Sequence, residues 1–130
     1  MSPKQMFFEI FTDWLDDTRN FFVDVIGFAV TRADEGFLVL QRGTAKLHVG
    51  SLDHMSLDQV DAGHLAAPTG RGVQLCIEVE DIDAAFANAE ASGHAITSPL
   101  TDQWFGTRDF RMFDPNGIYV RVTSPRLRPA

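Results

Sequence analysis

The chain has 130 residues and a mass of 14.4 kDa, with 45 % hydrophobic and 22 % charged residues, which excludes a disordered chain and suits one domain or two half-size repeats. Acidic residues outnumber basic ones 18 to 11, so the formal charge is −7, which argues against a nucleic-acid binder and is compatible with cationic or neutral ligands. The one cysteine, Cys76, allows neither an internal disulfide nor a thiolate metal cluster, and no apolar run approaches the roughly 18 residues a membrane helix needs, so a cytoplasmic protein is expected.

The aromatic run Met6 to Phe11 reads as the first strand. Asp13 is the expected N-cap of a helix from Trp14 to Val25. Leu15, Thr18, Phe22 and Val25 form its apolar stripe and Gly27 its C-cap. Phe28 to Arg32 reads as a strand, Ala33 to Gly36 as a turn and Phe37 to Arg42 as a strand. Gly43-Thr44 turns the chain into a further strand, Ala45 to Gly50. Residues 51–70 lose periodicity and read as a linker with at most one helical turn.

The order then repeats. Gly72 to Val79 is a strand, and Asp81 caps a helix from Ile82 to Ser92 that Gly93 closes. Ala85, Phe86 and Ala89 share one side of that helix. His94 to Ser98 is a strand, Leu100 to Gly106 a loop and Thr107 to Phe113 a strand. Asp114-Pro115-Asn116-Gly117 is a strong turn before the last strand, Ile118 to Thr123. The division is therefore a first βαβββ module over 4–50, a linker over 51–70, a second βαβββ module over 71–124 and a tail over 125–130.

Alternation along the strands separates two faces. Phe8, Ile10, Leu47, Val49, Val73, Leu75, Ile77, Val79, Ile118, Val120 and Val122 belong to the helix-packed face. The second face takes Phe7, Glu9, Phe11, Lys46, His48, Gln74, Cys76, Glu78, Tyr119 and Arg121. A face that mixes aromatic rings with His, Glu, Gln and Arg has the composition of a ligand site, although a solvated sheet face is the plain alternative.

Three segments follow in order: Asn20 to Phe28 with its Ile26-Gly27-Phe28 turn, Val79 to Phe86, and Trp104 to Phe110 running into Asp114-Pro115-Asn116-Gly117. Together with the repeat they resemble the vicinal oxygen chelate superfamily of glyoxalases, extradiol dioxygenases and bleomycin-resistance proteins. The resemblance implies an α+β fold of two tandem βαβββ modules, whose mostly antiparallel sheets curl into an open barrel-like cavity. It places the four metal-ligand positions of its enzymes at Phe7, His48, Gln74 and Arg121. Phe7 offers no lone pair, and Arg121 carries a fixed positive charge and donates none to a metal. No metal and no other cofactor is therefore expected. The hairpin Gly36 to Gly43, with its Leu40-Gln41-Arg42-Gly43 end, is similar to the bleomycin-resistance branch.

That branch implies a homodimer that binds a bulky, partly aromatic or cationic small molecule and protects by sequestration. The expected ligand-binding residues are Phe7, Glu9, Phe37, His48, Gln74, Trp104, Phe110, Tyr119 and Arg121. Trp104 reads equally as a rim aromatic or as a stacking platform, and Phe37 as core or as platform. Arg121 would pair with Glu9 or Glu78, or grip an anionic ligand group. Cys76 is expected as a half-buried thiol, and His54 and His64 as solvated. No catalytic residue is assigned, and no nucleophile motif or phosphate-binding glycine loop is present. The rival is an enzyme of the same superfamily, of glyoxalase, lyase, isomerase or dioxygenase type, with a displaced metal or with His48 or Glu78 as a base.

Overall fold

Apolar residues at alternate positions build two separate sheets in the computed structural model, which describes residues 6–55 and 72–126. The chain divides into two compact units, Met1–Ala67 and Pro68–Ala130. Each holds a βαβββ module, so the architecture is α+β with two four-stranded mixed sheets.

The first unit contains β1 (Phe8–Thr12), α1 (Leu15–Asn20), a wider helical turn over Phe21–Ile26, β2 (Ala29–Asp34), β3 (Phe37–Arg42) and β4 (Ala45–Ser51). Its sheet runs β1-β4-β3-β2, with β1 parallel to β4 and the other pairs antiparallel. The helix enters differently from the expectation. Asp13 makes no cap; instead the N–H of Trp14 donates to Thr12 Oγ1 at 2.9 Å, and no side chain caps α1.

The expected stripe widens too. The turn over Phe21–Ile26 is a π-helix, which holds more residues per turn than an α-helix, so two adjacent pairs face the sheet. Phe21, Phe22, Val25 and Ile26 are all buried, with Thr18 beside them, while Leu15 is only half-buried. The Phe21 and Phe22 rings meet edge to face at 5.1 Å, and Phe22 meets Phe28 in the same way at 5.8 Å. Gly27 ends the helix in the left-handed region at φ 94°, where a residue with Cβ would be strained. Ile10, Leu38, Leu40, Leu47 and Val49 complete this core.

The second unit contains β5 (Gln74–Glu78), α2 (Ile82–Ala91), β6 (Ile96–Asp102), β7 (Arg108–Phe113) and β8 (Tyr119–Thr123). Its sheet runs β5-β8-β7-β6, with β5 parallel to β8. Asp81 caps α2 as expected, accepting the N–H of Ala84 at 3.0 Å. On α2, Ile82 and Ala89 are buried, whereas Ala85 and Phe86 are half-buried. They cover a core of Ile77, Val79, Phe110, Met112, Val120 and Val122. Val73, placed on this face by alternation, is exposed, because it precedes the first residue of β5.

Two boundaries move. Leu100 to Gly106 is not a continuous loop: β6 continues through Pro99 to Asp102. Proline is tolerated there because β6 is an edge strand with two register shifts. The turn is confined to Gln103 to Gly106, with the Gln103 N–H donating to the Thr107 carbonyl at 2.7 Å. Arg108 donates to Asp83 of α2 at 2.9 Å and to Asp102 of β6 at 2.8 Å, and the two carboxylates raise its pKa further. The expected linker shows a 3-10 turn at Leu52–His54. Most of that linker, with His64, and the tail from 127 lie outside the described residues.

Candidate functional site

Each sheet has a face turned away from its own helix, and the sequence-expected residues fall mostly on those two faces. In the first unit, register sets Glu9 opposite His48 and His48 opposite Val39, while Phe37 stands opposite Gly50 one row along. His48 is packed between rings. Its ring centroid lies 4.3 Å from that of Phe7 in a tilted stack and 5.5 Å from that of Phe37 edge to face. Its Nδ1 lies 3.5 Å from Glu9 Oε2. Phe7, Glu9, Phe37 and His48 therefore form one contiguous patch. Phe7 keeps 44 % of its surface exposed. Phe37 is half-buried among ring neighbours and is not a core residue. His54 is exposed, as expected, with its Nε2 3.3 Å from the Glu35 carbonyl and its ring centroid 6.1 Å from that of Phe37.

In the second unit, the residue that organises the face is one the sequence reading did not single out. Asp109 on β7 is fully buried. Arg121 Nε donates to its Oδ2 at 2.8 Å, and Gln103 Nε2 donates to its Oδ1 at 2.9 Å. Arg111 Nη1 lies 3.6 Å from that same Oδ1. Arg111 Nε donates to Gln74 Oε1 at 2.9 Å. Arg121 also donates through Nη2 to Thr107 Oγ1 at 3.2 Å and Thr123 Oγ1 at 3.3 Å. Arg121 thus pairs with Asp109, not with Glu9 or Glu78. Burial alone lowers the Arg121 pKa, but the Asp109 carboxylate, with Cys76 next to it, reverses this and leaves it raised.

The same alternation that located Gln74 and Arg121 carries the signal for Asp109. Phe110 and Met112 are apolar and buried, so Asp109, Arg111 and Phe113 must point the other way. Register sets Arg111 directly opposite Arg121, an unfavourable like-charge pair unless a carboxylate lies between them. Asp109 fills that role.

Phe110 is the corrected site residue. It is 1 % exposed and sits on the helix side, 5.2 Å from the Phe86 ring. Tyr119 is on the open face, its ring 4.8 Å from that of Phe113. Trp104 is 88 % exposed in the turn after β6. It touches Phe105 edge to face at 5.3 Å, and Phe105 receives the Arg121 guanidinium at 5.5 Å from its ring centre. Cys76 is exposed, not half-buried, in register with Arg121.

Of the four positions that carry the metal in enzymes of the resembled superfamily, only His48 is a good donor here. Phe7 stacks on His48, Gln74 Oε1 is occupied by Arg111, and Arg121 is a cation bound to Asp109. Among the described residues, no group of three or more His, Cys, Asp or Glu side chains is arranged to hold an ion. The described residues at these positions fall short of the three or more protein ligands that a catalytic metal takes.

A family model described as the glyoxalase/bleomycin resistance protein/dioxygenase superfamily matches residues 5–122. The chain belongs to this superfamily. It is 32 % identical over 110 residues to a bleomycin resistance protein of Geobacillus stearothermophilus, covering 78 % of this chain and 81 % of that one. A bleomycin resistance protein of Staphylococcus aureus matches to the same extent. Among solved structures, TioX from Micromonospora sp. ML1 superposes with a TM-score of 0.71 at 20 % identity, covering 97 % of this chain and 99 % of that one. A superfamily member from Nocardioides gives a TM-score of 0.69 at 21 % identity, covering 95 % and 85 % of the two chains. These two likenesses show the fold. In this member of the superfamily, no helix is long and apolar enough to cross a membrane among the described residues.

Proposed function

We propose that this protein binds a bulky, partly aromatic, bleomycin-like molecule and protects by sequestering it, with no bond made or broken and no metal required. The observation that carries this reading is the state of the superfamily's metal positions. One is a phenylalanine stacked on His48, and another is an arginine locked to a buried aspartate. The open sheet faces instead offer rings and hydrogen-bonding groups, the composition of a small-molecule site. Phe7, Glu9, Phe37 and His48 on the first face, and Gln74, Tyr119 and Arg121 on the second, are the proposed contacts. Trp104 is the proposed stacking platform, since an exposed indole costs little to rearrange around a flat ligand. The relatives at 32 % identity are named for bleomycin resistance, which supports the ligand class. The protein is proposed to act in the cytoplasm as a homodimer.

The test is calorimetric titration of metal-free bleomycin into metal-stripped protein. Saturable binding, with the drug recovered unchanged, supports sequestration. Trp104→Ala should weaken binding by about 1 kcal/mol without lowering thermal stability, because ring stacking is lost and little core is disturbed. Metal is tested separately by melting stripped protein with Zn²⁺, Ni²⁺, Fe²⁺ or Mn²⁺. An ion bound only by the folded state should add about 2.7 kcal/mol at 100 times its Kd. A saturable shift of that kind overturns the metal-free reading.

The second reading, an enzyme, is favoured by the Glu9–His48 pair, in which a carboxylate lies 3.5 Å from Nδ1 of an imidazole, the residue types of a general base and its partner. Chemical change in the recovered drug would move it to the front.

A further inference from the structure

We infer that the open face of the second sheet holds an anionic group of the ligand, a carboxylate or similar oxyanion on a flat ring system, through Arg111. The inference rests on the reading that this face takes a small molecule, and it adds an anionic group to the chemistry that the face accepts. Two guanidiniums share one carboxylate here. Asp109 accepts a short hydrogen bond from Arg121 and makes only a 3.6 Å contact with Arg111. The other partner of Arg111 is the neutral amide of Gln74. Both arginines are largely withdrawn from water, with side chains 23 % and 16 % exposed, and Asp109 is at 0 %. Glu78 is the second carboxylate on this face, yet it stands exposed opposite Thr123 and makes no ion pair with either arginine.

The contact cluster therefore carries a surplus positive charge in a chain whose total is −7. A cation withdrawn from water without its own counter-ion is costly, and a ligand anion would relieve that cost. Geometry favours Arg111 over Arg121 as the contact. Arg121 is pinned by Asp109, Thr107 and Thr123. Among the described residues, Arg111 Nη2 donates no hydrogen bond, so that edge of the fork is available to a planar anion. The adjoining rings suit the flat part of such a ligand. Phe113 and Tyr119 pair one row away, and Phe105 lies over Arg121.

The probe pair is 2-naphthoate and 2-naphthamide, which share one ring system and differ in charge. Calorimetry on the full chain should show naphthoate binding about tenfold or more tighter, as a charge-assisted contact outweighs a neutral one. The overall negative charge works in the opposite direction, so the sign of the difference isolates the local cluster. Arg111→Gln should erase the preference, and Arg111→Lys should retain part of it. Equal affinities, tighter naphthamide, or no naphthoate binding at millimolar concentration each overturn the inference. The comparison in wild-type protein needs no variant to fold. Bleomycin titration keeps the two claims apart. Drug binding with no naphthoate preference ends this inference alone, and naphthoate preference without drug binding ends the sequestration reading alone.

Discussion

The two open sheet faces stand on the same backbone plan and solve the same problem in different ways. In each module, a parallel pair sets the last strand beside the first. His48 stands opposite Glu9 in one and Arg121 opposite Cys76 in the other. Following the registers, Phe7 corresponds to Gln74, Val39 to Arg111, and Phe37 to Asp109. Where the first face surrounds an imidazole with rings, the second surrounds a guanidinium with oxygen. An imidazole can be neutral and accept apolar neighbours. A guanidinium is always charged and needs a carboxylate. The choice of residue at one position on the last strand thus dictates its neighbours on the strand beside it.

The largest effect expected from this difference is at Asp109. Asp109→Ala should leave two partly buried arginines directly opposite each other with no carboxylate, and cost about 3 kcal/mol or more in urea unfolding. Phe37→Ala, the corresponding change on the first face, removes a half-buried ring and should cost less. If the two variants are equally destabilised, the ion cluster is not what distinguishes the faces.

The βαβββ order and most strand limits were readable because apolar residues alternate cleanly over Phe37–Arg42, Ala45–Ser51 and Tyr119–Thr123. The open-face placement of Glu9, His48, Gln74 and Arg121 followed from the same period of two. What was not readable depended on geometry beyond that period. The π turn over Phe21–Ile26 arises from two adjacent apolar pairs, which a 3.6-residue stripe accommodates only in part. The continuation of β6 through Pro99 depends on its lying at the sheet edge, a fact of tertiary order. Asp109 was given no role, because its strand was not divided into faces. Only the cross-strand register of Arg111 and Arg121 shows why it is buried. Phe110 was misplaced for the same reason.

The hairpins that close the two modules differ in the same direction. Gly43-Thr44 closes the first with no buried polar side chain. The second uses Asp114, which is buried and accepts the N–H groups of Asn116 at 2.9 Å and Ile118 at 2.8 Å. Asp114→Ala should cost about 1–2 kcal/mol, since buried donors lose their acceptor. Burial raises the Asp114 pKa, and the hydrogen bonds from Asn116 and Ile118 only partly offset this. The folded state therefore holds this proton more tightly than the unfolded chain, whose value is near 3.8. Its contribution is fullest below that value and is lost as pH rises through the folded pKa. Asp114→Asn removes the titration, so wild type should lose stability relative to this variant as pH rises from below 4 (roughly the carboxylate range). A difference independent of pH would mean that Asp114 is not desolvated.

The smallest effect should come from Glu9→Gln, which removes the charge facing His48 and keeps the shape. Glu9 is more than a third exposed, its oxygen is 3.5 Å from Nδ1, and His48 is already held by Phe7 and Phe37. A pair this loose and this wet contributes at most about 0.5 kcal/mol, and salt screens part of that. The stability of Glu9→Gln should therefore lie within about 0.5 kcal/mol of wild type, well short of the loss at Asp109. With Glu9 among the proposed ligand contacts, Glu9→Gln should alter drug affinity more than melting temperature. A loss approaching that of Asp109→Ala would make the first face an ion cluster as well, and the contrast between the two modules would fail.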